Sequence, residues 1–166
     1  MKKLLVLAMV MTLLIVTAVP AIAAPPLHRV TGGGTVDFDG LKETYGFTAT
    51  QLDADGNATG NMQLVWHYPS DQAGVSPWIM HADVLYLAVD ADTGDAWIGG
   101  VITKSNDPYY VDVEFYIWVR DGGEGSKASG PDRIGFTYLE KPASYALYKW
   151  TWLPLFEFTN GNVQVK

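Results

Sequence analysis

Residues 109–120 read YYVDVEFYIWVR, and this stretch decides the fold. Every odd position in it is apolar, whereas the charged residues Asp112, Glu114 and Arg120 all occupy even positions. A period of two is expected of a β-strand that turns one face toward a core. The turn sequence DGGEG follows at 121–125 and indicates a return pass. We therefore predict an amphipathic strand inside an antiparallel sheet.

Similar alternating segments recur along the chain at the short spacing of an all-β meander. The further predicted strands cover residues 35–38, 42–52, 61–68, 78–89, 96–104, 132–140, 156–158 and 162–166. Gly46, Gly99 and Gly135 stand inside strands, where glycine suits a sharp bend or the close approach of another backbone. We therefore predict an antiparallel up-and-down barrel of about eight strands, with a β-sandwich as the alternative. The predicted core is Tyr45, Phe47, Leu64, Trp66, Val113, Phe115, Ile117, Ile134 and Phe136.

One predicted strand, residues 78–89, is apolar on both faces. Alternation puts Leu85, Leu87 and Val89 on one face and Val84, Tyr86 and Ala88 on the other. Such a strand is either covered on both sides or part of an interface.

The N-terminus has the three parts of a secretory signal peptide. Lys2 and Lys3 supply the positive start, and residues 4–19 are almost wholly apolar. Ala21-Ile22-Ala23 then forms the small-x-small cleavage pattern. A transmembrane anchor is the competing interpretation, but the proline before this pattern and the pattern itself favour removal of residues 1–23. We therefore expect a secreted protein, extracellular or periplasmic, without membrane attachment after cleavage.

Composition limits the partners of the mature chain. The predicted leader covers residues 24–29, and residues 30–166 are predicted to form one β-domain. The full chain has a net charge of −7, which becomes −9 when Lys2 and Lys3 leave with the signal peptide. So acidic a domain is not expected to bind nucleic acid or anionic membranes. The chain contains no cysteine, so neither a disulfide nor a lipoprotein anchor is expected.

No decisive catalytic or metal-binding motif occurs in the sequence. Asp53, Asp55 and Asn57 alternate like the ligands of a calcium loop, but glycine and glutamate do not follow at the required positions. His81 could act as a base beside a carboxylate such as Asp83, yet no nucleophile motif accompanies it. We therefore predict no metal, no cofactor and no catalytic residue. A barrel enzyme that uses His81 with a carboxylate is the least favoured alternative.

Aromatic residues give the more promising signal for function, because exposed rings on a β-surface commonly stack on sugars or form protein interfaces. The residues opposite the predicted core face, together with two from the aromatic-rich segment 141–155, form the predicted ligand site. They are Tyr110, Tyr116, Trp118, Trp150 and Trp152. Alternatively, the segment 141–155 covers that face. The predicted function is a non-catalytic module that binds a saccharide or a small apolar ligand; the alternative is a surface or assembly protein that acts through protein contacts.

Glycine and turn motifs recur through the mature chain. They are Gly32-Gly33-Gly34, Tyr45-Gly46-Phe47, Trp97-Ile98-Gly99-Gly100-Val101, Arg120-Asp121-Gly122-Gly123-Glu124-Gly125, Asp132-Arg133-Ile134-Gly135-Phe136 and Gly161-Asn162-Val163-Gln164-Val165. This pattern resembles that of a group of small secreted bacterial β-proteins of uncharacterised function. The resemblance covers most of the mature chain. It implies a secreted β-domain and implies no particular activity.

Cleavage after Ala23 removes 23 of the 166 residues and leaves 143. Expression of the full chain in a secreting bacterial host should therefore give a mature product that begins at Ala24. Intact-mass measurement of the exported protein checks this expectation. A mature product that retains residues 1–19 would contradict it.

Overall fold

The computed structural model describes residues 27–38, 40–67, 77–124, 129–138 and 142–166. The predicted signal peptide lies outside the described residues, as do the first three residues of the predicted leader. Within the described ranges the chain forms one antiparallel sheet of nine strands. These are β1 (Arg29–Phe38), β2 (Leu41–Gln51), β3 (Ala58–His67), β4 (Trp78–Asp90), β5 (Asp95–Ser105), β6 (Glu114–Arg120), β7 (Arg133–Tyr138), β8 (Phe156–Glu157) and β9 (Asn160–Val165). Short 3₁₀ helices span Pro108–Tyr110 and Ala143–Tyr148.

The sheet is an up-and-down meander with one exception at its end. Strands β1 to β8 lie side by side in chain order, and β9 returns to pair with the other side of β1. The sheet curls, so the prediction of an all-β, antiparallel, barrel-like fold is confirmed, with nine strands in place of about eight. The sandwich alternative requires two facing sheets, whereas the described residues form a single curled sheet.

One face of the sheet encloses the main core. Alternation in β6 turns Phe115, Ile117 and Val119 inward, and all three are almost completely buried. The nine predicted core residues all lie in this cluster or against it. Those buried in it are Tyr45, Phe47, Leu64, Phe115, Ile117 and Ile134, and those partly buried against it are Trp66, Val113 and Phe136.

The long predicted strand begins five residues late. Pro108 opens a short 3₁₀ helix, which the Asp107 carboxylate caps by accepting a 3.0 Å hydrogen bond from the Tyr109 amide. Asp112 then adopts a left-handed backbone conformation with φ 65°. Proline fixes φ, and a local side-chain hydrogen bond competes with a strand ladder. The strand therefore starts only at Glu114, and the prediction is wrong before that residue.

Strand β4 carries a bulge that moves its faces away from the predicted pattern. The register with β5 leaves Leu85 as an extra residue between Val84 and Tyr86. Such a residue reverses the alternation that follows it. Leu85 is therefore 41% exposed, whereas Val84 and Leu87 both belong to the main core. The prediction that Leu85 and Leu87 share a face is wrong for this reason.

The two edges of the curled sheet meet at the C-terminal segment. Strand β8 pairs with β7, and β9, which follows almost at once, pairs with β1. The Val163 amide of β9 donates to the Asp132 carboxylate at 2.5 Å, and the Val165 amide donates to the Asp121 carboxylate at 3.0 Å. An edge strand otherwise leaves such amides unpaired. Carboxylate acceptors therefore replace a strand partner along this seam.

Phe115→Ala should destabilise the domain, because Phe115 is 1% exposed within the main core. Large-to-small changes at such sites cost roughly 3–5 kcal/mol in unfolding free energy. Denaturant unfolding of the purified mature protein measures the change. Leu52→Ala is the control, since Leu52 is 62% exposed, and it should change the free energy by less than about 0.5 kcal/mol. A Phe115→Ala protein as stable as the parent would mean that β6 turns its other face to the core.

Candidate functional site

A second layer covers the outer face of the sheet. Residues 142–155, named the cover segment, include the 3₁₀ helix Ala143–Tyr148, which lies over β4, β5 and β6. Beneath the segment lies a second cluster of buried residues, to which both the sheet and the cover segment contribute. Its members are Trp97, Tyr116, Trp118, Ala146 and Leu153. The outer face of the sheet is therefore a core layer in this region.

Two strand glycines let the cover segment come close to the sheet. A β-carbon at Gly99 would lie 1.9 Å from the carbonyl oxygen of Ala143, and one at Gly135 would lie 2.6 Å from that of Pro154. Both separations are too short for a residue with a side chain, so the cover backbone rests directly on β5 and β7. A β-carbon at Gly46 would meet nothing within 4 Å, so close approach does not explain that glycine.

One carbonyl oxygen anchors the cover segment to the sheet. The backbone oxygen of Trp150 accepts a 3.0 Å hydrogen bond from the Trp97 indole and a second one from the Tyr116 hydroxyl. At the start of the segment, the Ala143 amide donates to the Glu114 carboxylate. Burial raises the pKa of Tyr116 above its ordinary value, so the phenol remains a protonated donor at neutral pH. The segment is thus fixed near both of its ends.

A buried carboxylate stabilises the sheet side of this second cluster. Asp95 is 4% exposed and accepts a 2.9 Å hydrogen bond from the Trp118 indole. The Arg120 guanidinium donates to both Asp95 oxygens, at 2.8 and 2.9 Å, and lies over the Trp118 ring. Burial by itself would raise the pKa of Asp95, but the hydrogen bonds from Arg120 and Trp118 outweigh it and lower the pKa overall. Asp95 is therefore held in its charged form.

Three aromatic rings of the cover segment stand close together on its outside. Tyr145 lies 4.7 Å from Trp150 and 5.8 Å from Tyr148 between ring centroids, and Tyr148 lies 6.4 Å from Trp150. These three residues are named the aromatic platform. Tyr148 is 66% exposed, Trp150 is 39% exposed, and Trp152, farther along the segment, is 54% exposed. Tyr145 is only partly exposed, so Tyr148 and Trp150 form the solvent-facing part of the platform, on an anchored backbone.

The structure separates the five residues that were predicted to form one ligand site. Tyr116 and Trp118 are 2% and 7% exposed beneath the cover segment, and Tyr110 packs against the main core. Trp150 and Trp152 face solvent on the cover itself. The five residues therefore share no single surface, and the alternative in which the segment covers the sheet describes the arrangement. A ligand-binding role stays a prediction. Its candidate residues are now the accessible aromatic residues of the cover segment.

The predicted site names Trp150 and Trp152 and takes its rim from the segment between Tyr145 and Trp152, but it does not single out Tyr145 and Tyr148, which complete the platform. They are three residues apart, and a 3₁₀ helix has three residues per turn, so their side chains fall on the same side. The high density of aromatic residues in 141–155 was the sequence feature that could have identified these two tyrosines. A helical interpretation of that segment would have grouped these two tyrosines.

A groove beside the cover segment carries polar groups. Its volume is about 270 Å³, and its lining includes His28, Gln51, Leu147 and Lys149. Leu147 and Lys149 belong to the cover segment, so the groove borders that segment. Within the described residues, the Gln51 side-chain oxygen is buried without a hydrogen-bond partner. Because this oxygen is closed to solvent, the accessible polar side chains of the groove include those of His28 and Lys149 instead.

His81 and Asp83 are exposed on the outer face of β4. They line an open groove of about 540 Å³ together with Lys104. In the part of the chain that the structure describes, the His81 imidazole makes no hydrogen bond to a carboxylate, and Glu114 accepts from the Ala143 amide instead. The histidine and carboxylate pair that the barrel-enzyme alternative needs is therefore not assembled among these residues.

Comparisons with models of protein families, with curated proteins and with solved structures give no significant match to this chain. Among the described residues, no helix is long and apolar enough to cross a membrane. The same residues include no group of three or more His, Cys, Asp or Glu side chains placed to hold a metal ion. The residues and their geometry therefore carry the functional inference.

Asp95→Asn should reduce stability at pH 7 by about 1–3 kcal/mol, because it removes the charge that Arg120 and the Trp118 indole stabilise. The folded-state pKa of Asp95 is lowered, so its contribution is present above its unfolded pKa of about 3.9 and is lost as the pH falls through the folded pKa. The difference between parent and variant should therefore shrink in acid. Urea unfolding between pH 7 and pH 2 measures it.

Glu157→Gln is the matched control for this prediction, because it neutralises the carboxylate of a second pair with arginine, Arg133 with Glu157, which is exposed. An exposed pair contributes about 0–1 kcal/mol, so this variant should unfold nearly like the parent. A difference between parent and Asp95→Asn that stays constant down to the lowest pH would contradict the assignment.

Proposed function

We propose that this protein is a non-catalytic binding module that holds neutral saccharides on the aromatic platform. The observation that carries the proposal is the grouping of Tyr145, Tyr148 and Trp150 within 4.7–6.4 Å of one another on the solvent side of the cover segment. Large rings that combine apolar faces with polar edges suit the mixed surface of a sugar. The exposed rings of Tyr148 and Trp150 are tilted by 41° to each other, and each offers a face on which a sugar can stack.

Anchoring of the cover segment supports this proposal. The Trp150 backbone is fixed through its carbonyl oxygen, and Lys149, the residue before it, donates a 2.7 Å hydrogen bond to the Val89 carbonyl. A binding surface that is already ordered loses less conformational entropy when a ligand arrives. The platform is therefore suited to binding without a preceding rearrangement of its backbone.

The groove and the charge of the chain narrow the class of saccharide. Sugar hydroxyls need hydrogen-bond partners near a stacking surface, and the groove that borders the cover segment offers the His28 ring and the Lys149 ammonium group. The net charge of −9 that remains after removal of Lys2 and Lys3 repels anionic glycans. Neutral oligosaccharides are therefore the proposed ligands.

The proposal places this module outside the cytoplasm. Its support is the signal-peptide pattern of residues 1–23 and the resemblance to small secreted bacterial β-proteins. A secreted domain without disulfides relies on its cores for stability, which suits the two buried clusters described above.

Trp150→Ala should weaken binding of a neutral oligosaccharide about tenfold or more, since tenfold corresponds to about 1.4 kcal/mol, the size of an aromatic stacking contact. Because Trp150 anchors the segment through its backbone oxygen, the side chain can be removed while both hydrogen bonds remain. Titration calorimetry with two neutral sugars, cellohexaose and hexa-N-acetylchitohexaose, measures the affinity. Thermal unfolding should stay within a few degrees of the parent.

Tyr109→Ala is the control, because Tyr109 is 72% exposed but lies on the other 3₁₀ helix, away from the cover segment. It should leave saccharide affinity unchanged. Equal affinity of Trp150→Ala and the parent would overturn the proposal. If the parent instead self-associates in light scattering and Trp150→Ala abolishes this, the exposed rings serve protein contacts, as the assembly alternative requires.

A further inference from the structure

A separate cavity opens at the end of the barrel that contains the β1–β2 turn. Its volume is about 220 Å³. The described residues that line it combine aromatic rings with a single carboxylate. They are Phe38, Glu43, Tyr45, Trp66, Phe136, Thr137 and Phe156. An ionisable group stands here in a setting that is otherwise mostly apolar.

Strand geometry explains how Glu43 reaches this position. Tyr45, Phe47 and Ala49 of β2 are buried in the main core, and Glu43 has the same parity along the strand. Its carboxylate accepts a hydrogen bond from the Tyr45 hydroxyl. Burial raises the pKa of Glu43, and hydrogen bonds from Tyr45 and Trp66 act in the opposite direction. The carboxylate has therefore lost part of its hydration, and the two hydrogen bonds offset only part of that loss.

No lysine, arginine or histidine among the described residues forms an ion pair with Glu43. The neighbouring Lys42 has the opposite parity and is exposed. Glu43 is half-buried, and partial burial of a carboxylate without a cation is unfavourable. A perturbed acid in a cleft is a candidate for a functional site. Aromatic faces carry negative electrostatic potential and attract cations within about 6 Å of the ring centre. The cavity therefore combines two features that favour positive charge.

We propose that the barrel-end cavity binds a small organic ammonium ion, with Glu43 as its counter-ion and the surrounding rings, Trp66 and Phe136 among them, as cation–π partners. The cavity is smaller than the 300 Å³ or more that is typical for drug-sized ligands. A compact alkylammonium compound fits this size and charge, whereas an inorganic cation would gain little from the apolar rings.

This site is distinct from the saccharide platform. Leu147 of the cover segment lies at the opposite end of the barrel, where a β-carbon at Gly56 in the β2–β3 turn would lie 2.3 Å from its side chain. The cavity lies beside Phe38 at the β1–β2 turn. The two binding proposals can therefore fail independently.

The test compares choline with 3,3-dimethyl-1-butanol. In this neutral isostere a carbon atom replaces the charged nitrogen, and the shape is nearly the same. Titration calorimetry on the mature parent protein should show choline binding at least about tenfold tighter, because the neutral isostere forms neither the ion pair nor the cation–π contacts. Glu43→Gln should weaken choline binding severalfold or more but leave it tighter than that of the isostere, because the variant loses the ion pair and keeps the cation–π contacts. The glutamine oxygen can still accept the Tyr45 hydrogen bond, so the fold is expected to persist.

Asp55→Asn is the charge-matched control, since Asp55 is exposed in the turn at the other end of the barrel. It removes one negative charge and should leave choline affinity unchanged. The proposal is overturned if the folded parent does not bind choline at millimolar concentration, or if it binds choline and the isostere equally. It is also overturned if Glu43→Gln binds choline as tightly as Asp55→Asn does. The comparison of the two ligands on the parent holds even if Glu43→Gln fails to fold.

Discussion

Two hydrogen bonds to the Trp150 carbonyl oxygen hold the cover segment on the sheet, and the layered arrangement of this protein depends on them. The donors, Trp97 and Tyr116, sit on the outer face of β5 and β6, where their rings would otherwise be exposed. The cover buries these rings and satisfies their polar atoms in the same contact. Because the contact uses the backbone of Trp150, its side chain is left on the outside. The same residue therefore serves stability through its main chain and a proposed ligand through its ring.

The edges of the curled sheet are joined by side-chain hydrogen bonds. The seam lies between the edge strands β8 and β9. Because β8 is only two residues long, few ladder hydrogen bonds are possible there. The carboxylates of Asp121 and Asp132 accept from amides of β9 instead. Asp132 also accepts from the Gly122 amide, so one side chain joins the loop after β6 to the final strand. Paired edge amides cannot recruit a strand from another molecule.

The two proposed sites use aromatic residues in different physical settings. On the cover segment, the rings of Tyr148 and Trp150 are open to solvent, so shape and stacking dominate. At the barrel end, aromatic rings and the Glu43 carboxylate line one cavity, so charge is the main determinant of the proposed binding. A small barrel-like domain can hold both because its inner face, its outer face and its ends are separate environments.

The sequence by itself determined three features of this protein. They are the period of two in β6, the inward placement of Phe115 and Ile117, and the all-β, barrel-like class. These follow from local alternation, which assigns each residue to a face. Local interactions at Pro108 and the extra residue Leu85 broke that alternation, and neither break is visible in the hydrophobic pattern. Only the tertiary structure decided which aromatic residues remain accessible. Alternation places Tyr116 and Trp118 opposite the core, but it cannot say what packs over that face, because the covering residues lie far away in the sequence.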